Sequence, residues 1–332
     1  MTAAVQVWAQ FAACVAFIGV AGVRLARYGD AIASLTSMPR NWVGMVLMAT
    51  VTSLPELVTG LSAVTIAATP DIAVGDALGS CVFNLAILAV VDLLHRRGSF
   101  YTHVSSVHVV SASLGIALLA VAGVGIMLSE HNTALAIGHV SLVSIVLIVL
   151  YGWAMRIVYR IEQGRQVDTA PAAMTLRQAV VGYAVAAIVI IAAGIWLPLV
   201  GVQLGRVMNW SDSFVGTLFI ALATSVPELA TTLGAVRIGA IDMALGNVLG
   251  SNLFDLLIIA LDDLAYIKGP IFAHVSMANF ASVVFAGLMN GVVILAVLRR
   301  PANRIVRTMS WAGIALAALF VLSATVQFLL SH

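Results

Sequence analysis

Four acidic residues sit in strongly apolar stretches of the chain: Glu56, Asp76, Glu228 and Asp255. The two glutamates belong to one phrase written twice. Residues 52–57 read Thr-Ser-Leu-Pro-Glu-Leu, and residues 224–229 read Thr-Ser-Val-Pro-Glu-Leu. A second pair of phrases follows, Gly-Asp-Ala-Leu-Gly-Ser-Cys-Val-Phe-Asn at 75–84 and Gly-Asn-Val-Leu-Gly-Ser-Asn-Leu-Phe-Asp at 246–255. The offsets are 172 and 171 residues, so a single gap aligns the two halves. An acidic residue at the centre of a membrane helix costs roughly 2.5–3.5 kcal/mol on insertion scales. Four of them approach ~10 kcal/mol, comparable with the ~5–15 kcal/mol net stability of a typical protein. No basic residue lies nearby to neutralise them. A bound metal ion or a proton is the economical partner.

Spacing shows what such an ion would meet. Thr52 and Glu56 are four residues apart, as are Ser80 and Asn84, so each pair shares a helical face. Thr224 with Glu228 and Ser251 with Asp255 repeat the arrangement. Pro55 and Pro227 cannot donate to the carbonyls of Val51 and Ala223, and each ring disturbs the turn before it. The freed carbonyls become further oxygen ligands, since irregular backbone is tolerated where it lines a site. Carboxylates, hydroxyls, amides and carbonyls form a hard-oxygen set. Ca²⁺ accepts six to eight such ligands at about 2.3–2.6 Å, and Na⁺ takes the same chemistry. No thiolate or histidine cluster points to zinc or copper. No organic cofactor is expected.

The elements that must hold these residues are membrane helices. Hydrophobic residues make up 62% of the 332-residue chain, charged residues 9%, and mean hydropathy is +1.09. A soluble domain is about a quarter charged. The apolar runs predict ten spans, at 6–27, 41–66, 72–95, 105–128, 133–160, 177–200, 211–236, 242–265, 273–298 and 306–330. Residues 1–160 then form a first unit, 161–176 a linker and 177–332 a second unit. Fourteen of the sixteen basic residues, Arg24 and Arg27 among them, fall in the odd-numbered loops; Arg206 and Lys268 are the exceptions. The positive-inside rule places the odd loops in the cytoplasm and both termini outside. A net charge of +2 thus reflects topology and gives no support for nucleic-acid binding. The first span has no basic segment before it and does not read as a cleaved signal. Cys14 and Cys81 fall inside spans and are assigned no disulfide.

Five spans per half is an odd number, so the second half enters the bilayer from the opposite side. The expected fold is therefore an all-α polytopic membrane protein of ten transmembrane helices in two inverted five-helix repeats. Secondary transporters use that plan, with substrate near the midplane where the repeats meet.

The paired phrases resemble the α-1 and α-2 repeats of the sodium/calcium exchanger family, within the cation/Ca²⁺ antiporter superfamily, of the prokaryotic type without a large cytosolic regulatory loop. The resemblance implies that Glu56 and Glu228 are central carboxylates shared by Ca²⁺ and Na⁺. It implies hydroxyl or backbone oxygens from Thr52, Ser53, Thr224 and Ser225, and Na⁺ sites lined by Ser80 and Ser251. Asn84 and Asp255 would complete the centre, and the carbonyls of Ala49 and Ala221 would serve outer Na⁺ sites. The first and sixth helices, with Gly19, Gly22, Gly182 and Gly194, would form a long tilted pair that slides to change access. An integral protein of a prokaryotic cell membrane follows from the same resemblance. The chain departs from the family pattern at Val51 and Ala223, where glycine is usual. It departs again at Asp76, opposite Asn247, and at Cys81, opposite Asn252. Asp76 is a possible fourth carboxylate of the centre.

The structural alternative for these groups is hydrogen bonding between helices, or of Ser and Thr to their own backbone. Asp92, Asp262 and Asp263 read as interfacial, as do the seven histidines. Three functional readings follow. The first is Na⁺/Ca²⁺ antiport by alternating access; the second is an H⁺- or K⁺-coupled Ca²⁺ exchanger on the same fold, which Asp76 would favour. A third, an intramembrane aspartyl protease using Asp76 and Asp255, leaves the two Thr-Ser-x-Pro-Glu copies unexplained. A passive cation channel would need no counter-ion. No protein partner is inferable.

Overall fold

The computed structural model describes residues 2–36, 51–95, 100–130, 135–162, 174–237, 239–301 and 309–331. Its helices are α1 (Thr2–Leu35), α2 (Leu54–Ala67), α3 (Pro70–Leu94), α4 (Val107–Glu130), α5 (Leu142–Glu162) and α6 (Leu176–Met208). They continue as α7 (Asp212–Thr224), α8 (Val226–Arg237), α9 (Ile241–Ala265), α10 (Ala278–Arg299) and α11 (Trp311–Leu330). Eight of these are long and apolar enough to cross a membrane; α7 and α8 form one broken crossing bent by 44°. The shorter α2 takes second place in the order. Residues 41–50 of the span expected there lie outside the described residues. This is the ten-span, inverted-repeat architecture.

Several boundaries differ from expectation. Helices α1 and α6 run 34 and 33 residues, well past the spans read at 6–27 and 177–200. No proline precedes residue 36 to stop α1, and residues 28–35 continue it where a loop was expected. At 1.5 Å per residue each helix is about 50 Å long. Against a hydrocarbon layer of ~30 Å, that length calls for tilt or projection. The span read from residue 133 starts later, because Ala136–Ile137 and Val140–Ser141 pair as a two-stranded hairpin. Gly138, with φ +66°, supplies the left-handed first position of its two-residue turn.

The core is built on α3 and α9, the two most enclosed helices, which pack on each other. The repeat symmetry shows in what surrounds them. Helix α3 is flanked by α10 and α11, and α9 by α4 and α5. Helices α1 and α6 pack together, with α1 laid along α8 and α6 along α2.

Four carboxylates lock this symmetry in place. Asp71 accepts from the Ser276 N–H (2.7 Å) and Asn279 Nδ2 (2.9 Å) at the start of α10. Its counterpart Asp242 accepts from the Ser105 N–H (2.7 Å) and pairs with His108 Nε2 (3.1 Å) at the start of α4. Asp92 accepts from the Phe100 and Ser310 N–H groups, at 3.4 and 2.7 Å. Asp263 accepts from the Ile271 and Ser141 N–H groups, at 2.6 and 2.7 Å. Asp71 and Asp242 satisfy orphan donors at an element beginning more than a hundred residues away. Asp92 and Asp263 each join one such distant donor to the start of the next short helix, eight residues on.

These contacts correct the interfacial reading. Asp92, Asp262 and Asp263 are fully buried, and His108 is buried too. Proximity to a helix end in sequence did not mean exposure, because neighbouring helix starts close over those ends. Replacing Asp263 by Ala strands two buried N–H groups, each costing about 1–3 kcal/mol. The expected result is a clearly lowered melting temperature in detergent with cation affinity intact at low temperature. An unchanged melting temperature contradicts the clamp.

Candidate functional site

The two proline-bearing segments break alike. Ser53 (φ −89°, ψ 14°) and Ser225 (φ −82°, ψ 4°) each leave the helix for the sparsely populated bridge region, just before Pro55 and Pro227. Glu56 and Glu228 follow in the first turn of the resumed helix, and both are buried. Helix α1 is laid closely over the second break. Side chains at Gly19 and Gly22 would run into Val226 and Pro227, while Gly194 of α6 lies against Val58 and Thr59. Gly182 of α6 accommodates the Tyr28 ring.

Close approach also sets the other half of the site. Helix α3 presses onto the π-helical segment Val215–Ile220 of α7. A Cβ at Gly79 would collide with the Thr217 carbonyl and stand 2.8 Å from Ala221 Cβ. A Cβ at Gly216 would stand 2.8 Å from the Ile72 carbonyl oxygen. This contact carries Asp76 and Ser80 to the second repeat's hydroxyls.

The polar groups then form a network across the repeats. Thr224 Oγ1 donates to Asp76 Oδ1 at 2.9 Å, and Ser225 Oγ donates to Ser80 Oγ at 3.2 Å. Ser80 Oγ and Thr224 Oγ1 are 3.5 Å apart. On the opposite side, Thr52 Oγ1 and Ser251 Oγ are 3.4 Å apart, and Ser53 Oγ donates to Glu228 Oε1 at 3.5 Å. Thr224 and Ser225 likewise lie beside Glu56. Each glutamate thus faces the Thr-Ser pair of the other repeat. Asn84 Nδ2 donates to Asp255 Oδ2 at 3.3 Å. Between them Cys81 and Asn252, pseudo-equivalent positions, bond reciprocally: Asn252 Nδ2 to the Cys81 carbonyl at 3.2 Å, Cys81 Sγ to the Asn252 carbonyl at 3.7 Å.

What remains unpaired is acidic. Both oxygens of Glu56, Glu228 Oε2, Asp255 Oδ1, Asp76 Oδ2 and Asn84 Oδ1 are buried acceptors without a hydrogen-bond donor among the described residues. Buried acceptors of that density are costly unless something positive meets them. No three acidic, His or Cys side chains among the described residues already close around a metal-sized point. A cation here would therefore be shared between carboxylates and the hydroxyl, amide and carbonyl oxygens beside them.

Every residue singled out from sequence lies at this centre except Ala49, which falls outside the described residues. The Ala221 carbonyl is present but engaged, accepting from the Ser225 N–H at 3.0 Å, with Thr224 Oγ1 3.3 Å away. Sequence reasoning missed Asn247, whose Nδ2 bonds Thr231 and Thr232 at 3.1 and 3.3 Å. It also missed the Cys81–Asn252 pairing. The unequal residues at matched positions of the two phrases were the available signal.

Comparison with known proteins agrees with this fold. The chain matches the sodium/calcium exchanger protein family over residues 6–160 and 178–329. It is 28% identical over 232 residues to the inner membrane protein YrbG of Escherichia coli (strain K12), covering 67% of this chain and 68% of that one. Among solved structures, the sodium-calcium exchanger NCX_Mj superposes with a TM-score of 0.62 at 20% identity, covering 97% of this chain and 99% of the other. The H⁺/Ca²⁺ exchanger CAX superposes with a TM-score of 0.69 at 15% identity, covering 97% and 86%. At those identities the structural likeness speaks for the fold.

Proposed function

The chain belongs to the sodium/calcium exchanger family, and from that premise we propose that it exchanges Na⁺ for Ca²⁺ by alternating access through the centre of Glu56, Glu228 and Asp255. It is an integral membrane protein and a secondary transporter, so the protease reading falls away. In the structure, moreover, Asp76 is held by Thr224 and Asp255 by Asn84, with no bond between the two aspartates.

The observation that carries the proposal is the pair of glutamates. One comes from each repeat, each is buried beside the other repeat's hydroxyls, and three of their four oxygens lack a donor. Ca²⁺ would bind the two glutamates with Asp255 and neighbouring Thr52 and Thr224 oxygens. Na⁺ would divide the same carboxylates among sites completed by Ser53, Ser225, Ser80 and Ser251, with Asn84 and the Ala49 and Ala221 carbonyls at the margins. Occupancy neutralises the carboxylates and lets the centre occlude, whereas an empty, charged centre resists crossing. Sliding of α1 and α6 over the breaks at Ser53 and Ser225 would exchange the open side. We place repeat units at 1–160 and 177–332 about a cytoplasmic linker, both termini outside, in a prokaryotic cell membrane.

Asp76 supports one competing reading. It puts a carboxylate where the second repeat has Asn247, and a proton could use it. Radiolabelled Ca²⁺ uptake into proteoliposomes loaded with Na⁺, K⁺ or acidic buffer separates the two. Uptake is expected with internal Na⁺ alone. Uptake driven by the acidic interior instead moves the protein to H⁺ coupling, uptake driven by K⁺ moves it to K⁺ coupling, and uptake without any trans cation makes it a passive channel.

A further inference from the structure

One buried carboxylate is used neither by the centre nor by the clamps. Asp262 lies next to the fully bonded Asp263, is itself fully buried, and neither of its oxygens meets a donor among the described residues. It stands seven residues beyond Asp255 along α9, about 10 Å at helical rise. That is too far to belong to the same ion shell.

Gly60 makes room for it. A Cβ there would collide with the Asp262 carboxylate, lying 2.8 Å from Oδ1 and 2.9 Å from Cγ. Thr59 precedes Gly60, and its hydroxyl oxygen is also buried without a partner among the described residues. Asp76, whose Oδ2 has no donor among the described residues, holds in this repeat the place that Asn247 holds in the other, where it bonds Thr231 and Thr232, the counterparts of Thr59 and Gly60.

The other repeat shows what the fold does without this feature. By the same offsets Gly60 corresponds to Thr232, Asp262 to Val91 and Asp76 to Asn247. There, an amide donor satisfies two hydroxyls, Asn247 Nδ2 bonding Thr231 and Thr232. Glycine with aspartate in one repeat thus replaces threonine with valine in the other. The exchange removes the closed neutral cluster and leaves two carboxylates with one hydroxyl. Helix packing alone is met by the neutral version, so the acidic version has another purpose.

We propose that Asp262, Thr59 and Asp76 form a second cation site, adjoining the centre through Asp76 and displaced from it towards the α9 end that leads to Lys268, and that it takes Na⁺. The unpaired side-chain oxygens are four: both of Asp262, Oδ2 of Asp76 and Oγ1 of Thr59. Ca²⁺ takes six to eight oxygens, so this smaller set suits an alkali cation. Thr59 also adjoins Gly194 of α6, where a Cβ would stand 3.4 Å from its hydroxyl. Occupancy would therefore be felt by one of the long helices. The site deepens the exchange reading and rests on it for its role, though not for its existence.

Equilibrium binding of radiolabelled Na⁺ and, separately, Ca²⁺ to the purified full chain in detergent tests it. The variants are Asp262→Asn and the double variant Gly60→Thr/Asp262→Val. The latter installs the pair that the second repeat already packs, which guards against simple misfolding. Both are expected to bind one Na⁺ fewer per chain, with Ca²⁺ affinity unchanged. Equal Na⁺ counts in the variants and wild type overturn the site. So does loss of Ca²⁺ binding together with Na⁺, which would make Asp262 a support of the centre. Wild type that binds Na⁺ but no Ca²⁺ would sink the exchange reading, while the Na⁺ counts would still decide this one.

Discussion

Replacing Glu56 or Glu228 by Gln is expected to abolish Ca²⁺ uptake. Each carboxylate is buried and faces hydroxyls of the opposite repeat, and glutamine keeps the volume while removing the charge that would meet the proposed cation. Removing one partner of a buried charge interaction costs about 3–5 kcal/mol, or roughly 10²–10³-fold in affinity at 1.4 kcal/mol per decade. Tracer uptake and direct Ca²⁺ binding should fall together. The empty protein should respond in the opposite sense. With no cation bound, one fewer buried carboxylate relieves repulsion, so the variant is expected to melt above wild type in cation-free buffer. Wild type should regain the advantage as Ca²⁺ is added, since a ligand stabilises only the form it binds. A glutamine variant that still transports would remove that glutamate from the ion path.

Replacing Gly79 by Val is expected to remove the proposed site without touching one of its candidate ligands. The new Cβ would strike the Thr217 carbonyl, and backbone cannot rotate aside as a side chain can. Gly75 sits on the same contact, its Cβ position 3.1 Å from the Ser213 carbonyl oxygen and the Thr217 nitrogen. Relief requires α3 and α7 to separate, which draws Asp76 and Ser80 away from Thr224 and Ser225. Overpacking typically costs about 1–3 kcal/mol and occasionally more, and this contact belongs at the upper end. The expected outcome is poor recovery of folded protein and no measurable Ca²⁺ binding by what is recovered. Valine at the same spot with wild-type melting and binding would mean that α3 and α7 do not press together there.

The polar centre was legible because its pattern is local. Thr52 with Glu56, and Ser80 with Asn84, follow helical spacing, and the proline after each Thr-Ser pair announces a break whatever surrounds it. The ten apolar runs were legible for the same reason, since hydrocarbon thickness sets their length. The lengths of α1 and α6 were not. Their extensions carry Asp30 in α1 and Arg206 in α6, and charge ends a hydropathy run without ending a helix.

The acidic residues outside the motifs mark the limit most clearly. Asp92 and Asp263 look like ordinary helix ends in one dimension, yet each holds two N–H groups from elsewhere in the chain. Asp262 beside Asp263 has the same composition and neighbours but no donor. Nothing in the order of residues separates the pair. By itself the sequence determined a membrane protein of ten crossings, duplicated with inversion, carrying a hard-oxygen centre at the repeated glutamates. Helical periodicity and the cost of charge in hydrocarbon act over a few residues and are written into neighbours. Tertiary structure alone decided which carboxylates are clamped by backbone donors and which stay unpaired. That depends on how connecting loops turn back and on contacts between segments more than a hundred residues apart, made where glycines let helices touch.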